Sequence, residues 1–215
     1  MKDISVKALA KINLGLDVVR KREDGYHEVR MVMQTIHLFD RLEISKNTSG
    51  EITMETNLSF LPTNENNLVY KAAKLLQDEF AIKDGVHVWL HKYIPVAAGM
   101  AGGSTDAAAV LYGMNQIFDL GLTREELMER GVKIGADVPY CIMRGTALAE
   151  GIGEKLSKLP PMVKCPVLIA KPQISVSTKF VYENLKLGSD MVHPDIDRLV
   201  ADIREKDLYK IAADM

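Results

Sequence analysis

The start of the chain alternates. Ile4, Val6, Ala8, Ala10, Ile12, Leu14, Leu16 and Val18 are apolar and fall on even positions. Ser5, Lys7, Lys11, Asn13 and Asp17 fall on odd ones, with Leu9 and Val19 as exceptions. A period of two predicts a strand with one buried face. Lys11 and Asn13 then project together from the opposite face, roughly 6–7 Å apart. Residues 20–25 read as a charged turn ending in Asp24-Gly25, after which strand-like sequence resumes at Tyr26-His27 and continues to Met33 and Ile36. Further short strands are predicted over 42–45 and 52–56, around a turn at 47–50.

The period then changes. Leu68, Val69, Ala72, Ala73, Leu75, Leu76 and Phe80 recur at helical spacing behind an asparagine cap, Asn66-Asn67. Val86, Val88 and Leu90 return to alternation. Residues 95–103 form a glycine- and alanine-rich loop, followed by an alanine-rich helix predicted from about 104 to 118. Thr123 and Glu126 make a capping box that starts another helix. Residues 167–170, bracketed by Pro166 and Pro172, read as a short buried strand. Helix starts are predicted at Ser177 and Pro194. No repeat, low-complexity tract or linker interrupts the chain. Strands lead and helices follow, so the class is α+β.

Composition narrows the function. The 215 residues suffice for one large domain, or for one domain and part of a second. Hydrophobic residues at 47%, with a mean hydropathy of −0.02, exclude disorder as the main state. The longest charge-free runs, 93–105 and 107–118, fall short of the roughly 20 residues of a helical span, so no membrane partner is expected. Lys and Arg number 27 against 29 Asp and Glu, a net charge of −2, and nucleic acid is not an expected partner. Cys141 and Cys165 lack metal-ligand spacing and read as free thiols of a reducing compartment. The start carries no signal-peptide pattern, and a cytoplasmic location is expected. His87 and His91 lie four apart on an alternating segment with no third ligand in spacing, so no protein-held metal is expected.

The most informative stretch is Pro95-Val96-Ala97-Ala98-Gly99-Met100-Ala101-Gly102-Gly103-Ser104-Thr105. Small residues let backbone approach a ligand, and free N–H groups at a helix start attract an anion such as phosphate. Ser104 or Thr105 can add a hydroxyl to a phosphate oxygen or a metal. The loop lacks the Gly-Lys-Ser/Thr of a Walker A motif and is not Gly-x-Gly-x-x-Gly. Its other reading is a turn whose small residues permit tight helix packing.

Three stretches in order, Ala10-Lys11-Ile12-Asn13-Leu14, residues 95–109 and Ile134-Gly135-Ala136-Asp137-Val138-Pro139, together resemble the GHMP small-molecule kinases. The middle stretch matches that family's phosphate-binding motif. Asp24-Gly25-Tyr26-His27 and Asn67-Leu68-Val69-Tyr70 resemble one branch of it. That branch phosphorylates the 2-hydroxyl of a cytidine diphosphate-linked methylerythritol, in non-mevalonate isoprenoid biosynthesis. The resemblance implies a two-domain fold. An ATP-binding domain over 1–160, similar to a ribosomal-protein domain, precedes the start of a C-terminal domain over 161–215. Family members run further, and their third glycine-rich motif has no counterpart here, so the C-terminal domain is expected to be incomplete. The implied small molecules are ATP, the cytidine substrate and Mg²⁺ arriving with ATP. The implied assembly is a monomer or homodimer.

The resemblance also implies roles. Asp137 corresponds to the catalytic base and Lys11 to its cationic partner; alone, they read as a helix cap ahead of Pro139 and an exposed strand lysine. Tyr26 and His27 correspond to residues that receive the cytosine ring, and alone read as a half-buried tyrosine and a surface histidine. Tyr182 corresponds to a further aromatic on the cytidine, with Phe180 as the competitor. Asn13 corresponds to a contact with the erythritol end. Asn67, Leu68 and Lys92 join residues 95–105 on the ATP side, Asn67 reading equally as a plain cap and Lys92 as a solvated strand end. Two other readings remain: a nucleotide-binding fragment without turnover, and a GHMP kinase for another small alcohol.

Overall fold

The opening alternation becomes strand β1, Asp3–Lys21, in the computed structural model, which describes residues 3–172, 174, 176–185, 187–188 and 192–215. The buried face follows the predicted phase at Val6, Ala8, Ala10 and Leu14. It does not hold to the end, because Leu16 is 39% exposed. Lys11, on the opposite face, is buried.

Strand β2 runs unbroken from His27 to Asn47. The separate short strand expected over 42–45 is therefore the end of β2. The alternation never lapses there: Asp40, Leu42 and Ile44 are buried while Arg41 and Glu43 are exposed, so a charged residue sits in the core phase and keeps the strand going. β1 pairs with β2. The chain divides into two compact units, Met1–Ala10 with Ile36–Pro95 and Met100–Met143, and Lys11–Thr35 with Val96–Gly99 and Arg144–Met215.

In the first unit, β4 (Gly85–His91) pairs antiparallel with β2, from Arg41 opposite His91 to Asn47 opposite Gly85. β3 (Ile52–Thr56) pairs parallel with β4, as it can because helix α1 (Leu68–Glu79) makes the crossover between them. The Asn67 side chain accepts the N–H of Val69 and caps α1. Helix α2 occupies Gly102–Ile117, two residues ahead of the expected start. First-turn N–H groups have no intrahelical partner, so glycine costs least there, and Ala101 at φ 54° turns the chain into the helix. The predicted capping box of Thr123 and Glu126 opens α3 (Arg124–Val132), and α4 follows at Val138–Met143. α2 packs against α1, α3 and α4, its alanines 107–109 letting the backbones come close.

In the second unit, β5 (Thr146–Glu150) pairs antiparallel with β2 and with β6 (Lys155–Lys158). Helix α5 is Thr178–Asn184 with Ser177 as its cap; α6 is Ile196–Glu205 with Asp195 as its cap; α7 is Leu208–Ala213. Leu14, Val32, Leu159, Ile196, Leu199, Val200, Ile203 and Ile211 form its core. A Cβ at Gly15 would lie 2.8 Å from Leu199, so only glycine lets α6 lie this close to β1. Arg30 adds a two-pronged ion pair to Asp197 at the head of α6 (3.0 and 2.7 Å).

Residues 167–170 correct the sequence expectation. They carry no regular structure, and Leu168 is 97% exposed, with Val167 and Ile169 also exposed. A strand needs a neighbouring backbone, and none pairs with this run among the described residues.

Candidate functional site

The glycine-rich loop is open to solvent at Pro95, Val96, Ala97, Gly99 and Gly103, while Ala98, Ala101, Gly102 and Ser104 are half-buried. Ala97, Gly99 and Ala101 have φ of 54°, 71° and 54°. Left-handed residues at every second position are the backbone pattern of anion-binding nests. Two of the three are alanines, each held in a region that costs an L-residue about 1–2 kcal/mol. The loop leads directly into α2, whose N-terminus has no side-chain cap. Its first N–H groups and the positive end of the helix dipole are left for an anion.

Neighbouring residues shape this helix start. Leu68, the first residue of α1, reaches within 3.5 Å of where a Cβ on Gly103 would stand. The Asn67 amide is engaged locally, accepting from Val69 N–H (2.9 Å) and donating to the Pro62 carbonyl (2.8 Å). The two hydroxyls of the loop differ. Thr105 is buried and donates to the Leu9 carbonyl (2.8 Å), whereas Ser104 Oγ faces Gly135, 4.0 Å from the position of a Cβ there. Met100 is buried and anchors the loop.

Gly135 leads to Asp137, half-buried immediately before α4; its carbonyl accepts the N–H of Cys141 (3.0 Å). Asp137 thus stands at a short helix start, in the same unit as the head of α2. Lys11 belongs to the other unit, where its ammonium donates to Asn13 Oδ1 at 3.1 Å. That contact confirms the shared face inferred from the strand period. Lys11 is 5% exposed, although it projects from the face opposite Ala10 and Leu14.

The turn after β1 presents Tyr26. Asp24 pairs with Arg22 and accepts the Tyr26 N–H (3.1 Å), Gly25 takes φ 87°, and the Tyr26 carbonyl accepts from Arg22 N–H (2.8 Å). The turn is fixed from both sides, and the ring is left 61% exposed. His27 stacks on Tyr182 of α5, with centroids 5.0 Å apart and planes at 30°. Phe180, the competing aromatic, is exposed and is not the one on His27.

One cluster was missed from the sequence. Lys92 is buried and its ammonium donates both to Asp40 and to Asp106 Oδ2 (2.8 Å). Lys92 is therefore not a solvated strand-end lysine. Burial pushes the Asp106 carboxyl up to about 8, against the pull of Lys92 and with Asp40 adding to the rise. A signal was present. Asp40 falls in phase with Leu42 and Ile44, Lys92 with Val86, Val88 and Leu90, and Asp106 heads an alanine run, so each charge occupies a core position of its element.

The chain is similar to known proteins in sequence and in fold. Residues 67–145 match the family described as GHMP kinases N terminal domain. A 4-diphosphocytidyl-2-C-methyl-D-erythritol kinase of Lachnoclostridium phytofermentans is 60% identical over 210 residues, covering 98% of this chain and 72% of that protein. One from Lachnospira eligens is 57% identical over 215 residues, covering 100% and 75%. A crystal structure of 4-(cytidine 5'-diphospho)-2C-methyl-D-erythritol kinase superposes with a TM-score of 0.75 at 32% identity, covering 94% of this chain and 72% of that one. A homoserine kinase from Cytophaga hutchinsonii shares the fold, with a TM-score of 0.73 at 18% identity over 100% of this chain and 71% of that one.

Proposed function

The chain belongs to the 4-diphosphocytidyl-2-C-methyl-D-erythritol kinases of the GHMP kinase family, and from that premise we propose that it transfers the γ-phosphoryl group of ATP to the 2-hydroxyl of 4-diphosphocytidyl-2-C-methyl-D-erythritol. The observation that carries this reading is the uncapped start of α2 with Gly135-Ala136-Asp137 beside it. It supplies donors for phosphate oxygens and, two residues beyond the point of contact, a carboxylate.

In this mechanism Asp137 takes the proton from the substrate hydroxyl as its oxygen attacks the γ-phosphorus. The bond from the γ-phosphorus to the bridging oxygen breaks, and ADP leaves. Little covalent work falls to the protein, so positioning and charge do most of it. The N–H groups at the head of α2 and the residues 95–105 hold the phosphates, with Leu68 and Asn67 on the nucleoside side. Lys11 offsets charge on the transferred group, and Asn13, bonded to Lys11, orients the erythritol end. Tyr26, His27 and Tyr182 receive the cytosine, an aromatic set suited to stacking. The ATP-binding domain is assigned to residues 1–160 and the start of a second domain to 161–215.

Mg²⁺ would be held by the phosphates of ATP rather than by side chains, and would supply neutralisation of their charge. The donors at the head of α2, backbone N–H groups and the Ser104 hydroxyl, suit phosphate oxygens, in keeping with an ion carried by the nucleotide. Both substrates are water-soluble nucleotides, which favours a cytoplasmic setting; no helix among the described residues is long and apolar enough to cross a membrane.

The test is Asp137→Ala. Turnover is expected to be abolished while ATP binding stays nearly intact; near-normal turnover would remove Asp137 from the role of base.

A further inference from the structure

We propose that Asp40, Lys92 and Asp106 form a positioning lock that sets nucleotide affinity by fixing the first turn of α2. The inference rests on the ATP site proposed above and adds three residues that stand behind it. Asp40 comes from β2, Lys92 from the segment after β4, and Asp106 from the first turns of α2, all within one unit. Their side chains are 0–4% exposed.

The connections run in one direction, towards the helix start. Asp40 Oδ1 accepts the N–H of Ile94 (2.8 Å) and that of Tyr93, so the segment entering the glycine-rich loop is tied to β2. The other Asp40 oxygen holds the Lys92 ammonium. That ammonium reaches Asp106 and also lies 3.1 Å from where a Cβ on Gly102 would be. Gly102 is the first residue of α2. The cation therefore supports the helix start from below, and glycine is the residue whose backbone rests on it without a side chain between.

A cluster kept for stability alone would be balanced, and this one is not. Two acids share a single cation, so Asp106 keeps its proton in the fold up to about pH 8, and its Oδ1 is buried without a hydrogen-bond partner among the described residues. An orphaned buried acceptor and a surplus acid are destabilising. Such costs concentrate where a local geometry is required for function. Here that geometry is the direction of the N–H groups at the head of α2.

The experiment compares Asp106→Ala, which removes one of the two acceptors of Lys92, with Asp106→Asn, which keeps its size and one carbonyl oxygen. ATP affinity is measured by calorimetry on the full chain with Mg-ATP, alongside steady-state kinetics. Misplaced phosphate donors predict a rise in Kd and KM for ATP on the order of tenfold for Asp106→Ala. kcat at saturating ATP and KM for the cytidine substrate should stay near wild type. Asp106→Asn should recover most of the affinity. Asp40→Asn, which keeps the size but removes the carboxylate that holds the Lys92 ammonium, should show the same selective loss and serves if Asp106→Ala fails to fold. ATP affinity unchanged in folded Asp106→Ala or Asp40→Asn would overturn the lock, as would a loss confined to kcat. A folded wild-type chain that binds no ATP would overturn the proposed function and the lock together.

Discussion

The imidazole of His27, at the start of β2, stacks on the ring of Tyr182 in α5 with centroids 5.0 Å apart. In the proposed function these two rings, with Tyr26 exposed beside His27 in sequence, receive the cytosine. Base–aromatic stacking contributes about 1–3 kcal/mol, so Tyr182→Ala should raise KM for the cytidine substrate on the order of tenfold. KM for ATP should not move. A loss in ATP affinity with the cytidine KM unchanged would reverse the assignment of the two pockets.

The buried Asp106 carboxyl makes stability depend on pH. Its folded value of about 8 exceeds the ordinary 3.8, so between those values the folded protein retains a proton that the unfolded chain has released. Stability from this group is complete below about pH 4 and is lost as pH rises through about 8. Asp106→Asn should flatten that slope in urea denaturation at a series of pH values. A slope equal to wild type in the variant would show that Asp106 is ionised in the fold.

Ala97 and Ala101 adopt left-handed backbone, where glycine is unstrained. Ala101→Gly relieves strain but frees the unfolded chain, leaving a net gain of up to about 1 kcal/mol. Ala101→Val adds a β-branched side chain at the same φ and should lose stability instead. Chemical denaturation of the pair distinguishes the two, and equal midpoints would mean that Ala101 is not left-handed in solution.

Leu199 is fully buried in the core of the second unit and meets the chain at Gly15. Leu199→Ala should cost about 2–5 kcal/mol through lost burial and the cavity left behind. A cost below about 1 kcal/mol would mean that α6 does not dock on β1 as described.

Much of this was legible in sequence because the signals were local. Alternation identified β1, an asparagine cap α1, and the Thr123–Glu126 box α3, each from interactions within a few residues. Lys11 and Asn13 were placed on one face by period alone, and their side chains do meet. The length of β2 was not legible, because Asp40 looks like a break until Lys92 and Asp106 supply its partners. Residues 167–170 fail for the opposite reason. Their apolar run satisfies every local criterion for a strand, but pairing is a property of the neighbour. The choice of Tyr182 over Phe180 depends on how α5 faces His27, which no spacing encodes.

The most direct test of the account is a coupled ADP-release assay on the 215-residue chain with Mg-ATP. We predict turnover with 4-diphosphocytidyl-2-C-methyl-D-erythritol and none with mevalonate or homoserine. A folded, ATP-binding chain that released no ADP with the cytidine substrate, or released it only with one of the other alcohols, would contradict the account.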